Sequence, residues 1–510
     1  MRQYETFELE FKGEEPSGSQ AVVDVKAVFV QGNTTKEVKG FYAGNGMYKI
    51  RYYPQAVGEY TWKVISSIAL GGAIEGVEEC LPAEKQVHGM VQVNGTHFRY
   101  EDGNRYVSVG TTVYALFHQE KTMIERTMQT LEKAPFNKVR CCVFPKNYDF
   151  NHNEPELFAF EKTAGRWDVN RPCFAFWDAI EARILQLQKL RIETDLILFH
   201  PYDCWGFAEL SEEECMIYLD YAVRRLSAIP NIWWSLANEY DLMEHFEKGW
   251  WFDFAKFIHE NDVYGHLLSN HHCLDMWDFS DPNTTHCCIQ GNGFTQIPDL
   301  QKKYGKPVLF DECGYEGTLP YAWGNLSGFE LVNRFWTTFM MGGYCSHGET
   351  IWNEEEILWW SKGDTLHGES PARIRFLREI LEELPEDPET NVSQFDRERL
   401  NAALADPEMA ATIPYVVKCI AKLDDNAFQN FMEGNRELAA HCGEEVYLQY
   451  FARHCICWCD LMLPQDKKYD VEFIDVWEMT REKKLEAVSG LVHVQMPGKE
   501  GMAILAKRVG

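Results

Sequence analysis

The chain has 510 residues, 45% hydrophobic and 14% aromatic, which supplies material for several packed cores and excludes a disordered chain. Its 49 Lys and Arg against 78 Asp and Glu leave a formal charge of −29, which argues against a nucleic-acid partner because phosphate contacts need clustered cations. The 16 cysteines lie largely inside apolar runs such as KVRCCVF and HCCIQG, so they read as reduced core thiols rather than a disulfide framework.

The first residues, MRQYETFELEFKG, lack the apolar stretch of a signal peptide, and no segment approaches the roughly 18 apolar residues of a membrane span. A cytoplasmic protein without a membrane partner is expected. Residues 1–90 read as short strands, AVVDVKAVFV, FYAGNGMYKIRYYP and GEYTWKVIS, parted by Gly, Asn and Pro turns. Alternation in MYKIRYY and YTWKVIS predicts half-exposed strands and therefore a small β-sandwich.

From about residue 93 the pattern changes to apolar strands separated by helix-like segments. Eight strands are predicted: YVSVGTT, KVRCCVF, ETDLILF, NIWWSLAN, HLLSNH, HCCIQG, PVLFDEC and GGYCSHG. Eight strands close a (β/α)₈ barrel, and near-continuous apolar runs suit parallel strands covered on one side by helices. FWDAIEARILQLQKL and EECMIYLDYAVRRLSAI have the three-and-four apolar spacing of such helices, and ARIRFLREILEEL is expected to complete the barrel. PEDPET then marks a linker, and EVYLQYFA, HCICWCDLML, YDVEFIDVWEMT and LVHVQMPG predict a second sandwich. The fold class is thus multidomain, α/β and all-β: a TIM barrel over residues 91–392, flanked by an N-terminal β-sandwich over 1–90 and a C-terminal one over 393–510.

Barrel enzymes build their sites at the carboxyl ends of the strands, and polar groups gather there in this sequence. In strand order they are Thr111, Thr112 and Tyr114; Arg140 and Lys146; His200, Tyr202 and Asp203; Asn238, Glu239 and Asp241; Asn270, His271 and His272; Gln290 and Asn292; Asp311 and Glu312; then His347, Glu349 and Trp352. Unpaired buried polar groups cost about 1–3 kcal/mol each, so packing alone gives no reason for this pattern. Glu239 and Glu312 end the fourth and seventh strands, on opposite sides of the mouth. Two facing carboxyls are what glycoside hydrolysis needs, one protonated to release the leaving oxygen and one ionised to attack the anomeric carbon.

LANE at strand four and DECG at strand seven resemble clan A glycoside hydrolases, and Arg140 in FNKVR looks like the strand-two arginine of that clan. The resemblance extends outside the barrel: GMYKIRYYPQAVGEYTW, LWWSKGDTLHGESPARIRFLREI and VEFIDVWEMT are similar to the sandwich, strand-eight loop and C-terminal sandwich of a glycoside hydrolase group of this architecture. It implies a retaining mechanism with Glu239 as acid/base and Glu312 as nucleophile, and a midbarrel histidine at His271 or His272. Arg140 is expected to lower the Glu312 pKa, and Asn238 to bond the sugar 2-hydroxyl. His200, His271, His347 and Tyr114 join the substrate-binding set, and Tyr114, Trp359 and Trp360 offer faces for stacking on sugar. Asp241 and Asp311 read as structural.

The expected partner is a carbohydrate or small glycoside cleaved from its end, with self-association left open. Two alternatives remain: a carbohydrate-binding protein without catalysis, and a metal-dependent barrel hydrolase using His200, His271, His286 and Asp311. Strand one lacks the His-x-His such sites begin with, and HCICWC, SNHHC and THCC lack the C-x₂-C pairs of structural zinc, so no metal or cofactor is expected.

Overall fold

A computed structural model of the chain describes residues 1–390, 397–434 and 438–510, so the expected boundary at 392/393 falls outside the described residues. Two compact units emerge: Met1–Gly291 with Lys306–Gly328 and Cys345–Ala372, and Asn292–Gly305 with Phe329–Tyr344 and Arg373–Gly510.

The first unit opens with a sandwich of two antiparallel sheets, as the alternation predicts. Phe7–Lys12, Met47–Tyr52 and Phe41–Tyr42 form one sheet; Thr34–Lys39, Val25–Gln31, Gly58–Ser66 and Glu75–Cys80 form the other. Inward residues such as Phe29, Ile50, Tyr52, Tyr60 and Trp62 make its core, which Ala228 and Tyr264 of the barrel also enter. Buried Arg51 bonds Glu8 and Glu181 (2.7 Å each), and Arg225 bonds Glu181 (2.9 Å), so paired charges rather than apolar area alone join sandwich to barrel helix.

All eight predicted barrel strands form and all run parallel: Val109–Thr112, Lys138–Cys142, Glu193–Phe199, Ile232–Ala237, Leu268–Ser269, Cys287–Gln290, Val308–Glu312 and Tyr344–His347. Strands pair with their sequence neighbours and the eighth with the first. Between the fifth and sixth, the Thr285 amide donates to the Leu268 carbonyl (2.7 Å) and the Ser269 hydroxyl to that of His286 (2.7 Å), so the barrel is nearly closed. Helices Phe174–Lys189 and Glu212–Leu226 lie where the spacing puts them, the second started by a Ser211–Glu214 capping box.

The barrel interior is a polar column. Gly110 admits it: a Cβ there would lie 2.2 Å from Ser346 Oγ and 3.1 Å from Lys138 Cε. Lys138 Nζ bonds Asp195 (2.8 Å) and Asp311 (2.5 Å), and Asp311 also receives Ser346 Oγ (2.7 Å) and Cys288 Sγ (3.0 Å). At the floor Glu193 accepts from Trp233 Nε1 (3.0 Å).

The second unit contains a six-stranded sheet, Glu389–Thr390, Leu438–Cys442, Val446–Tyr450, Met502–Val509, Lys468–Asp475 and Thr480–Val488, and a two-stranded antiparallel sheet, Trp458–Met462 with Leu491–Gln495. Leu461 and Val494 of the two-stranded sheet share a core with Val471, Phe473 and Ile504. Cys455 and Cys457 precede the strand Trp458–Met462, and Cys459 lies within it. The helix Ser370–Glu382 forms as predicted, but from Arg373 it belongs to this unit, with the guanidinium 3.8 Å from the Trp477 ring. Helices Arg397–Ala405, Pro407–Thr412, Tyr415–Ile420 and Asp425–Gly434 occupy a stretch read as part of the sandwich.

Burial pushes the Glu193 carboxyl from 4.5 up to about 8, so the folded state binds that proton more tightly than the unfolded chain. Its stabilising contribution is complete below about pH 4.5 and is lost as pH rises through about 8. Glu193→Gln removes this dependence: relative to wild type, its melting temperature should rise between pH 5 and pH 9. Parallel melting curves across that range would contradict the assignment.

Candidate active site

The fourth strand ends in an unusual backbone conformation. Glu239 adopts φ 59°, ψ 58°, the left-handed region that costs a residue with a Cβ about 1–2 kcal/mol. The kink ends the strand, starts the turn Tyr240–Leu242, and leaves the Glu239 carboxyl facing the mouth while its amide donates to His271 Nδ1 (3.3 Å). Strand seven uses a bulge. Phe310 and Glu312 pair with the adjacent residues Ile289 and Gln290, so Asp311 is the extra residue, and consecutive carboxylates serve the column and the mouth.

Asn238 links the two glutamates. Its Nδ2 donates to Glu239 Oε2 (3.1 Å), and its Oδ1 accepts from Arg140 (2.7 Å) and lies 2.9 Å from the Tyr114 hydroxyl oxygen. Arg140 also lies 3.4 Å from Glu312 Oε1, to which Tyr114 donates a short hydrogen bond. Tyr202 donates another to Glu239 Oε2, and the Gln290 amide reaches Glu239 Oε1 (3.3 Å). Burial and the adjacent glutamate raise the pKa of both phenols, keeping them donors.

Burial first, then the Glu239 charge, raises the Glu312 pKa. Arg140 acts in the expected direction, downward, but is outweighed because Glu312 is nearly enclosed beside a second carboxyl. Burial, with Arg140 next, keeps His271 well below the usual histidine range and therefore neutral. Since Nδ1 accepts from Glu239, the ring proton sits on Nε2, 3.8 Å from Glu312 Oε1. Of the two histidines left open by the sequence, His271 stands between the glutamates.

Glu239, Glu312, Arg140, Asn238, Tyr114 and His271 are thus brought together. Tyr114 does not offer a free stacking face, because its hydroxyl is committed and Lys146 Nζ lies 3.5 Å from its ring centre. His200 is buried nearby, with Nε2 bonded to the Phe144 carbonyl (3.1 Å) and a pKa held at about 3 by burial and the Lys146 charge. Trp360 packs on Tyr114, Tyr148 and Phe150 in the mouth, whereas Trp359 is committed through Nε1 to Thr111 Oγ1 (2.9 Å).

His347 lies apart from the glutamates, stacked on Phe136 with Nδ1 bonded to Thr111 (3.0 Å). It groups with Glu316 and Glu349, their potential ligand atoms all within 4.8 Å, a set that could hold a cation. The carboxylates already accept four successive backbone amides, those of 367–370 (2.7–3.0 Å), and thereby tie the strand-seven and strand-eight loops to a helix start. The metal-hydrolase set His200, His271, His286 and Asp311 is not such a group among the described residues. Asp241 accepts the amides of residues 273–275 (2.6–2.8 Å), the structural role expected of it.

Three contributors named among the strand-end polar groups were given no role from the sequence: Tyr202, Gln290 and Lys146. Gln290 ends a barrel strand and the other two follow one, so position flagged them, but nothing in residue type separates them from rim residues.

The profile of a family described as "Apiosidase-like, catalytic domain" matches residues 92–386. Residues 1–67 match Domain of unknown function DUF5060, and 436–507 match Domain of unknown function DUF5605. A solved structure described as "a putative glycoside hydrolase" from Bacteroides vulgatus ATCC 8482 is 34% identical, covering 100% of this chain and 99% of that one with a TM-score of 0.87. A glycoside hydrolase family 5 protein of the same organism shares the fold at 15% identity, covering 82% of this chain and 92% of that one with a TM-score of 0.61. No curated protein sequence matches the chain.

Lys138 is fully buried, and without it Asp195 and Asp311 would be left inside the barrel with only Arg140 Nε, 3.9 Å from Asp195, to oppose their charge. Lys138→Met should cost about 3–5 kcal/mol in chemical denaturation. A loss under about 1 kcal/mol, the range of a surface pair, would contradict the column's role.

Proposed function

The chain belongs to the Apiosidase-like catalytic-domain family and is a glycoside hydrolase, and from that premise we propose that it cleaves O-glycosidic bonds by retaining double displacement. Glu312 attacks the anomeric carbon while Glu239 gives its proton to the leaving oxygen. Glu239 then takes a proton from the water that releases the sugar from Glu312.

The observation that carries this reading is the Asn238 bridge. One amide group spans from the hydrogen bond on Glu239 to the two donors, Arg140 and Tyr114, that serve Glu312, so both carboxyls address one small volume. The second Asn238 N–H remains for a sugar hydroxyl, the 2-hydroxyl in this proposal. His271 bridges the Glu239 backbone amide and the Glu312 carboxyl as a neutral ring and adds no charge of its own.

Removal of sugars from the ends of oligosaccharides or from small glycosides is part of the proposal. Glu239 is only 6% exposed and the Glu312 side chain 11%, a recess better suited to a chain end than to mid-chain. The division at 90/91 and 392/393 is proposed with it, supported by the family match over 92–386.

Glu312→Gln should abolish turnover of every glycoside. Glu239→Gln should lose about 10²–10⁴-fold on poor leaving groups, while sparing dinitrophenyl glycosides that need no protonation. Rates equal to wild type in both variants would sink the assignment.

A further inference from the structure

Lys146 follows the second barrel strand and is only 2% exposed. Its Nζ lies 3.5 Å from the ring centre of Tyr114, 4.1 Å from that of Tyr202, 4.7 Å from that of Tyr148 and 5.9 Å from that of Trp360. The loop is fixed behind it, where Asn151 Nδ2 donates to the Lys146 carbonyl (2.7 Å). Among the described residues no atom accepts a hydrogen bond from the ammonium. Aromatic faces steady a desolvated cation by about 2 kcal/mol, but they leave its three N–H groups unspent, and a buried charge without hydrogen bonds is costly. Burial weakens its hold on the proton, and the Glu239 and Glu312 charges oppose that.

Its location says where acceptors would come from. Tyr114 and Tyr202 are the phenols that donate to Glu312 and Glu239, so Nζ sits about one ring from each carboxyl. A sugar between the glutamates would present its oxygens there.

We propose that Lys146 is a specificity-determining residue that donates directly to hydroxyl oxygens of a neutral sugar bound between Glu239 and Glu312. The inference rests on the glycosidase reading of those two glutamates. Charge selects the substrate class. With the transferable proton on Glu239, Lys138, Arg140 and Lys146 are balanced by Asp195, Asp311 and Glu312, three against three. A uronic acid would add an unbalanced carboxylate beside two others in a buried site, whereas a sugar bearing only hydroxyls satisfies the ammonium without disturbing the count.

The test compares wild type, Lys146→Met and Lys146→Arg on 4-nitrophenyl hexosides, pentosides and glucuronide, together with crystals soaked in the corresponding methyl glycosides. Hydrolysis should be confined to neutral sugars. Lys146→Met should lower kcat/KM about 10²-fold, the scale of losing a charged hydrogen bond or two, and Lys146→Arg should fall between it and wild type. Equal melting temperatures would separate this from misfolding, and a soaked sugar should place an oxygen within hydrogen-bond distance of Nζ. Preference for the glucuronide, a Lys146→Met rate indistinguishable from wild type, or a sugar seated between the glutamates but not touching Nζ would overturn the inference and leave the glycosidase reading standing. No hydrolysis of any glycoside and no bound sugar would overturn both.

Discussion

Two carboxyl groups enclosed in one small volume cannot both ionise without compensation, and the barrel mouth is arranged around that constraint. Arg140 and Tyr114 attend Glu312, Tyr202 and Gln290 attend Glu239, and Asn238 joins the two sets. Beneath them Lys138 neutralises Asp195 and Asp311, so Arg140 is not drawn wholly downward and can reach the mouth. The polar column therefore supports the site electrostatically, at the expense of a barrel interior that apolar packing would otherwise fill.

Backbone geometry turns this charge arrangement into a site. The left-handed Glu239 and the extra residue at Asp311 each interrupt a regular strand at the point where a carboxyl must be redirected. Loops held by other means surround them. Asp241 gathers three amides of the strand-five loop, and Glu316 with Glu349 gathers four amides beyond strand eight. Acidic residues near the mouth thus divide into those that face its centre and those that fix its rim.

Much of this was legible in the sequence because hydrophobic periodicity and strand-end chemistry are local signals. NIWWSLAN and PVLFDEC announced strands, and their polar endings announced a mouth. What the sequence hid depends on three-dimensional direction. His347 ends a strand as His271 closely follows one, and Trp359 adjoins Trp360 in the short helix Trp359–Lys362, yet both are committed to Thr111 rather than to the glutamates, a direction that residue type does not encode. Tyr202 and Lys146 matter through their distance to partners far along the chain. The helices over 397–434 did carry a local signal, Asp406 capping Pro407–Thr412, but their short lengths make a weak periodic pattern beside the strands that follow.

The central claim is that Glu312 becomes covalently joined to the sugar, and trapping measures that bond directly. Incubation with a dinitrophenyl 2-deoxy-2-fluoro glycoside, followed by peptide mass spectrometry, should find the fluorosugar on the peptide containing Glu312. It should be absent from the Glu312→Gln variant. Attachment to a different carboxylate, or turnover that yields inverted product with no adduct, would contradict the account.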